Sequence, residues 1–359
     1  VEYATPECRG LFDLVAADRA GELIVQRALE QLGMAENASF FKNNIDHYTG
    51  ATFKACAESG IRAACGRALM DKGNTAGLSA SLESNMEVAC AEADRWHGKG
   101  RLRYAFAPRF VPSCSEELLA EVVVEARRRN CIIHTHASEN ESEVELVRSL
   151  TGRDNIVYLH DLGITGPDVC LAHCIHLSPT EETILVDSGT HLLHCPSSNL
   201  KLGSGIARIP ELLASGARVS LGSDGAPCSN RLDIFTEMRL SALIQKPRLG
   251  PDAMAASDVL HMATLAGAEA VGLGEISGSI ALGKAADLVV VDPPTYSKTK
   301  RWRWTSGKDW QRLAAMAMAA TMAATPRIGP SMISSVRTLR AISPAAATRT
   351  NSRNRLMDR

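Results

Sequence analysis

Seven residues near the middle of the chain, His134-Thr135-His136-Ala137-Ser138-Glu139-Asn140, hold two imidazoles and a carboxylate behind the apolar run Cys131-Ile132-Ile133. A neutral imidazole is a metal ligand, and a carboxylate three residues on can pass a proton to and from a bound water. Three more polar groups follow short apolar runs in the same manner: His173 after Val169–Ala172, His194 after His191–Leu193, and Asp224 just beyond Ala217–Leu221. Each would stand where a buried strand ends, and in an α/β barrel that end is the catalytic rim. One such histidine would read as a satisfied core residue. Four rim groups in succession, in phase with the strands, read as one shared hydrolytic site.

The elements that must position these groups alternate. The patterning predicts helices over 51–59 (ended by Gly60), 79–96, 115–129 (opened by Ser115), 141–150, 179–188, 210–215, 233–245 and 257–271. Strands are predicted over 61–65, 101–107, 131–133, 169–173, 191–194 and 217–221. Strands alternating with helices imply an α/β fold with a parallel sheet and right-handed crossovers. With this many units a closed barrel is favoured over an open sheet. A dinucleotide-binding sheet would carry GxGxxG after its first strand, whereas Gly203 and Gly205 follow a loop.

Composition sets the outer bounds. The chain has 359 residues, 45% hydrophobic and 22% charged, as in a soluble globular enzyme. No apolar run reaches the ~20 residues of a spanning helix, so a cytoplasmic protein with no membrane partner is expected. Ten cysteines without a CxxC pair point to reduced thiols rather than a cysteine zinc site or a disulfide framework. The net charge of -1 hides a split: residues 293–359 carry 13 Lys and Arg against 2 Asp and Glu. This basic, atypical tail holds Trp302, Trp304 and Trp310 and an Ala/Met-rich run over 314–324. No nucleic-acid-binding module accompanies its charge, so a nucleic-acid partner is not expected. Residues 1–44 are unassigned, apart from helical apolar spacing over Glu22–Leu32.

The motifs together carry a resemblance. GRALMD (66–71), RWHGKGRLRYAFAPRF (95–110), HTHASEN (134–140), AHCIHLS (172–178), HCPSSNLKLGSG (194–205), LGSDGAP (221–227) and GSIALGKAADLVVVD (278–292) resemble the amidohydrolase superfamily, in its purine-deaminase and chlorohydrolase-like branch. The resemblance implies a TIM-like (β/α)8 barrel over 45–277, incomplete at its first strand, and a remnant strand of a small β-sandwich over 278–292. It implies one divalent metal per chain, zinc or iron, with His136 and Asp224 as ligands. Glu139 would protonate the purine ring nitrogen, and Asp224 would act as general base. His173 would orient the attacking hydroxide or stabilise the developing charge. Arg109 would bond a purine carbonyl and Phe110 stack on the ring. The implied activity is a hydrolytic aminohydrolase acting on a non-peptide C–N bond of a small, guanine-like purine. A 5′-deoxyadenosine/methylthioadenosine-type deaminase and an s-triazine hydrolase are the alternatives within the class, and a homo-oligomer is left open.

His134, His160, His176 and His191 are expected to be structural, and His194 stays open between supporting the site and packing in the core. Arg67 is either a partner for a carboxylate at the barrel mouth or a loop charge. The family also supplies a His-x-His from its first strand, and no such pair precedes His134, where the only histidines are His47 and His97. With His136 and Asp224 alone, metal affinity should be poor. A truncated or frame-damaged member, or a catalytically dead one, is therefore the alternative expectation.

Overall fold

A computed structural model describes residues 48–73, 79–230 and 232–289. The chain divides into two compact units, 1–279 and 280–359. The first unit holds every strand and helix described below. Of the second, the described residues 280–289 form a turn and irregular backbone with no helix or strand. Over 278–289, part of the expected sandwich strand 278–292, the described residues carry no strand. Residues 290–292, the segment 22–32, His47 and the basic tail lie outside the described residues.

Among the described residues, seven strands form one curled parallel sheet, in the order β1-β3-β4-β5-β6-β7 with β2 also on β3. They are β1 (Ala63–Cys65), β2 (Ala68–Leu69), β3 (Leu102–Pro108), β4 (Ile132–Ala137), β5 (Val169–His173), β6 (His191–His194) and β7 (Arg218–Leu221). The two outer strands, β1 and β7, do not pair with each other, so the sheet is an incomplete barrel. β1 and β2 keep one register along β3 and are parted by Gly66-Arg67. Gly66 is required there: a Cβ would lie 1.8 Å from the carbonyl oxygen of Ala105.

The main helices follow local signals. These are α1 (Tyr48–Ser59), α2 (Leu82–Trp96), α3 (Glu116–Arg128), α4 (Glu141–Thr151), α5 (Asn155–Asp161) and α6 (Pro179–Ser188). Ser115 caps α3 by accepting the Leu118 N–H, with Glu116 and Glu117 in the first turn and Arg127 and Arg128 in the last. α6 opens with a complete Ser178/Glu181 capping box and a proline at its first position, and ends at Gly189 in the left-handed conformation. After β6 come α7 (Pro196–Lys201) and α8 (Ile209–Ala214). After β7 come α9 (Ala226–Ser229), α10 (Ile234–Ile244), α11 (Lys246–Leu249), α12 (Ala256–Ala263) and α13 (Leu265–Ala270). The single helix expected over 257–271 is two. Thr264 breaks it, with its hydroxyl donating back to the Leu260 carbonyl at 2.6 Å and its own backbone non-helical.

One hydrophobic cluster runs from Phe53 to Met262 between the sheet and its helices. The crossovers are parallel, so all the strand C-termini, with Arg109, His136, His173, His194 and Asp224 at or just beyond them, face one rim.

Candidate active site at the carboxyl rim

β4 delivers His134 and His136 on one face, their ring centroids 6.2 Å apart. At its upper end the Arg109 carbonyl accepts three bonds: the His136 N–H at 3.1 Å, the Thr135 hydroxyl at 3.1 Å and His136 Nδ1 at 2.6 Å. A carbonyl only accepts, so Nδ1 carries the proton and Nε2 of neutral His136 keeps its lone pair. Both rings are half-buried on the inner face. That desolvation lowers His134 to about 4, and with the His173 ring nearby it lowers His136 as well.

The turn after β4 is pinned by Glu143, a buried residue that sequence reasoning passed over. Its carboxylate accepts the N–H of Ser138 at 3.1 Å, the N–H of Glu139 at 2.8 Å and the Asn155 amide at 2.7 Å. Asn140 in turn caps α4 by accepting the Glu143 N–H at 3.0 Å. A capping-box spacing was the available signal, since Asn140 and Glu143 stand three apart. Glu139 is thereby held with one carboxylate oxygen on the Ser204 hydroxyl at 3.0 Å and the other 3.8 Å from His173 Nε2.

His173 reaches the site through backbone strain. It pairs across the ladder with Ala137, so strand alternation would place it on the face opposite His136. It adopts φ +73°, followed by Cys174 at +47°, and the turn brings its ring onto His136, stacked at 5.5 Å. Its Nδ1 bonds Asn199 Oδ1 at 2.8 Å. Asp224 is also left-handed, at φ +58°. Burial pushes its carboxyl up, but the Ser198 hydroxyl at 2.5 Å, the Gly225 N–H at 2.6 Å and the imidazoles of His173 and His136 outweigh that, leaving it below the ordinary range.

The remaining candidates divide. Arg109, at the end of β3, has its guanidinium 5.1 Å over the Phe110 ring and in contact with Met70 Sδ at 3.8 Å. His176 bonds the Ser204 carbonyl at 2.7 Å, and His160 bonds the Thr165 hydroxyl at 2.8 Å. His194 is buried with neither ring nitrogen hydrogen-bonded, and desolvation lowers it to about 3. Asn199, Ser198 and Ser204, which hold three of the candidate groups, were not singled out from the sequence.

The donor set does not complete a metal centre. Among the described residues no group of three His, Cys, Asp or Glu side chains is arranged to hold an ion. His136 offers a bare nitrogen and Asp224 a carboxylate, whereas a catalytic zinc ordinarily takes about three protein ligands. The described residues on their own therefore do not fit a catalytic metal.

A parallel, incompletely closed α/β barrel with imidazoles and carboxylates on its carboxyl rim defines a class, and comparison with known proteins gives the family. The chain belongs to the amidohydrolase family, whose model matches residues 34–324. A second model, described as Pup-ligase protein, matches residues 1–58. The 5′-deoxyadenosine deaminase of Methanothermobacter thermautotrophicus is 38% identical over 253 residues, which are 70% of this chain and 58% of that protein. Among solved structures, an adenosine deaminase from Xanthomonas campestris with bound zinc matches at TM-score 0.68 and 26% identity, over 81% of this chain and 65% of the other. The E. coli guanine deaminase matches at TM-score 0.63 and 28% identity, over 66% of this chain and 56% of the other. The chain thus spans little more than half the length of the deaminase relative. No described helix is long and apolar enough to cross a membrane.

Proposed function

We propose that this chain carries the proton-handling part of a hydrolytic deaminase acting on an aminopurine. The observation that carries the reading is the convergence of Glu139, His173 and Asp224 on one rim, with Glu139 3.8 Å from His173 Nε2 and Asp224 within electrostatic reach of that ring. In this reading Asp224 takes a proton from water as its oxygen bonds the amine-bearing ring carbon, and His173 orients the water. Glu139 gives its proton to the adjacent ring nitrogen. Asp224 then passes its proton to the amine, the C–N bond breaks, and ammonia leaves. Glu139 recovers the hydroxyl proton as the carbonyl forms. Zinc would need donors beyond His136 and Asp224, and no step is assigned to it.

An adenosine-type substrate is supported by the 5′-deoxyadenosine deaminase, 38% identical over 70% of this chain. The solved structures do not separate it from guanine, at 26% identity to the adenosine deaminase and 28% to the guanine deaminase. Ammonia release by the full chain, with and without added zinc, across 5′-deoxyadenosine, adenosine, guanine and an s-triazine tests the activity and the choice of substrate. Turnover of 5′-deoxyadenosine above guanine is expected. No release from any substrate, in a folded chain with zinc supplied, would leave the binding-only reading instead.

A further inference from the structure

One short turn touches Asp224 and His173 and is linked to Glu139 through Ser204. In α7, the Ser197 N–H donates to Glu237 Oε2 at 3.0 Å, the Ser198 hydroxyl donates to Asp224 Oδ2 at 2.5 Å, and Asn199 Oδ1 meets His173 Nδ1 at 2.8 Å. The carbonyl of Asn199 also accepts the Ser204 N–H at 2.9 Å, and the Ser204 hydroxyl holds Glu139. Ser198, Asn199 and Glu237 are all buried to within 1% of full enclosure. Two consecutive side chains thus hold two proton-handling groups, and the buried Glu237 on α10 fastens the turn at Ser197.

We propose that Ser197-Ser198-Asn199 is the positioning element of this rim, and that Asn199 fixes His173 as the Nδ1–H tautomer, presenting the Nε2 lone pair to the substrate side. The amide oxygen of Asn199 accepts, so the imidazole proton must sit on Nδ1. The consequence selects between two roles. An Nε2 lone pair accepts a hydrogen bond from the attacking water and orients it, whereas an Nε2–H would donate to the forming oxygen. Asn199 acts through His173 and touches no reacting atom, so it is a positioning residue.

The kinetic arm of the test rests on the deaminase reading; the spectroscopic arm does not. The full chain is labelled with 15N-histidine, and long-range proton–nitrogen spectra are recorded at about pH 8, above the ordinary imidazole range. His173 is assigned by the signal missing in His173→Gln. The wild-type ring should show a protonated-type shift at Nδ1 and a bare-type shift at Nε2. Asn199→Leu should lose that signature, and Asn199→Asp, whose carboxylate can only accept, should restore it. In ammonia release, Asn199→Leu should lower kcat about 10- to 100-fold with KM little changed, and Asn199→Asp should recover part of it. A wild-type ring protonated at Nε2 overturns the proposal, whatever the variants do. So does an Asn199→Leu chain of wild-type Tm that keeps the Nδ1–H signature. Where Asn199→Leu does not fold, the wild-type and Asn199→Asp spectra decide. An inactive wild-type chain with the expected tautomer would sink the deaminase reading and leave the positioning turn standing.

Discussion

The flank around β3 and the rim of β4 to β7 are built on opposite terms. On the flank, Phe53 stacks on Trp96 at 5.4 Å and on Tyr104 at 6.1 Å, and Tyr104 meets Phe106 edge-on at 5.2 Å. Arg129 bonds both Asp94 and Glu125, and Arg128 with Arg129 holds the Glu125 carboxyl down at about 2. No described non-glycine residue before Asn130 has a left-handed backbone. On the rim, Ser138, His173, Cys174 and Asp224 are all left-handed, a strain of order 1–3 kcal/mol each. Buried atoms without a hydrogen-bond partner occur on both sides, Trp96 Nε1 and Glu92 Oε2 on the flank and the His194 nitrogens, Asn199 Nδ2, Ser138 Oγ and Glu237 Oε1 on the rim, so the contrast lies in the backbone. The difference teaches where stability resides and where it has been given up to aim side chains.

The sharpest way to break this comparison is to exchange the two kinds of loss. Glu139→Gln removes a proton donor from the rim while keeping its shape. Steady-state ammonia release should fall about 10²- to 10⁴-fold, with the urea midpoint unmoved. Phe106→Ala empties a fully buried site on the flank. It should cost about 3–5 kcal/mol of unfolding free energy in urea, while kcat per folded molecule stays at the wild-type value. A stability loss in Glu139→Gln, or a kcat loss in the folded fraction of Phe106→Ala, would dissolve the division.

Acid should draw stability from the buried histidines of the rim and, through His97, of the flank. Burial lowers His194 to about 3 and His134 to about 4 in the folded chain, against 6.5 as the ordinary value. The unfolded chain therefore binds these protons first. Their contribution is full above about pH 6.5 and is lost as pH falls through 6 and 5, at up to about 1.4 kcal/mol per unit for each ring. Glu125 on the flank has the opposite origin but the same direction: its folded pKa of about 2 against 4.5 means loss only below about pH 4.5. Urea unfolding between pH 7.5 and 5 should show a slope smaller in His194→Leu by up to about 1.4 kcal/mol per pH unit, the rest staying with His134 and with His97, His136 and His191, which burial also lowers. An unchanged slope would mean that His194 is already paired or protonated.

Much of this was legible in the chain itself. Helix α6 and strands β5 and β6 follow from strong local punctuation, such as Ser178-Pro179 and Gly189, and from unbroken apolar runs, and their bounds match the sequence reading residue for residue. That His136, Glu139, His173 and Asp224 stand at one rim follows from their places at the ends of apolar runs. Other features lie beyond local pattern. α5 and α7 are short and carry little periodicity. The break at Thr264 depends on a hydroxyl returning to a carbonyl four residues back. His173 sits on the wrong face by alternation and is corrected only by a left-handed backbone, which no side-chain pattern announces. Arg109 could be placed at the end of β3, but the direction of its guanidinium is set by the Phe110 ring and Met70, not by spacing.

The smallest expected effects give the finest test, because they compare one backbone conformation in the two settings. Asn130, at φ +55°, ends α3 on the flank and is exposed; Ser138, at φ +53°, is fully buried below Glu139 with its hydroxyl unpaired. Asparagine tolerates this conformation, and glycine there also enlarges the unfolded ensemble, so Asn130→Gly should change stability by less than about 0.5 kcal/mol and leave kcat alone. At Ser138 glycine removes both a left-handed side chain and a buried hydroxyl without a partner, so Ser138→Gly should stabilise by about 0.5–1 kcal/mol in urea. The same change frees the turn that Glu143 pins, and a looser Glu139 should lower kcat a few-fold. A Ser138→Gly chain that gains stability at full kcat would show that the rim's strain is incidental to the placement of Glu139. A stabilised, slower chain would tie the strain to that placement.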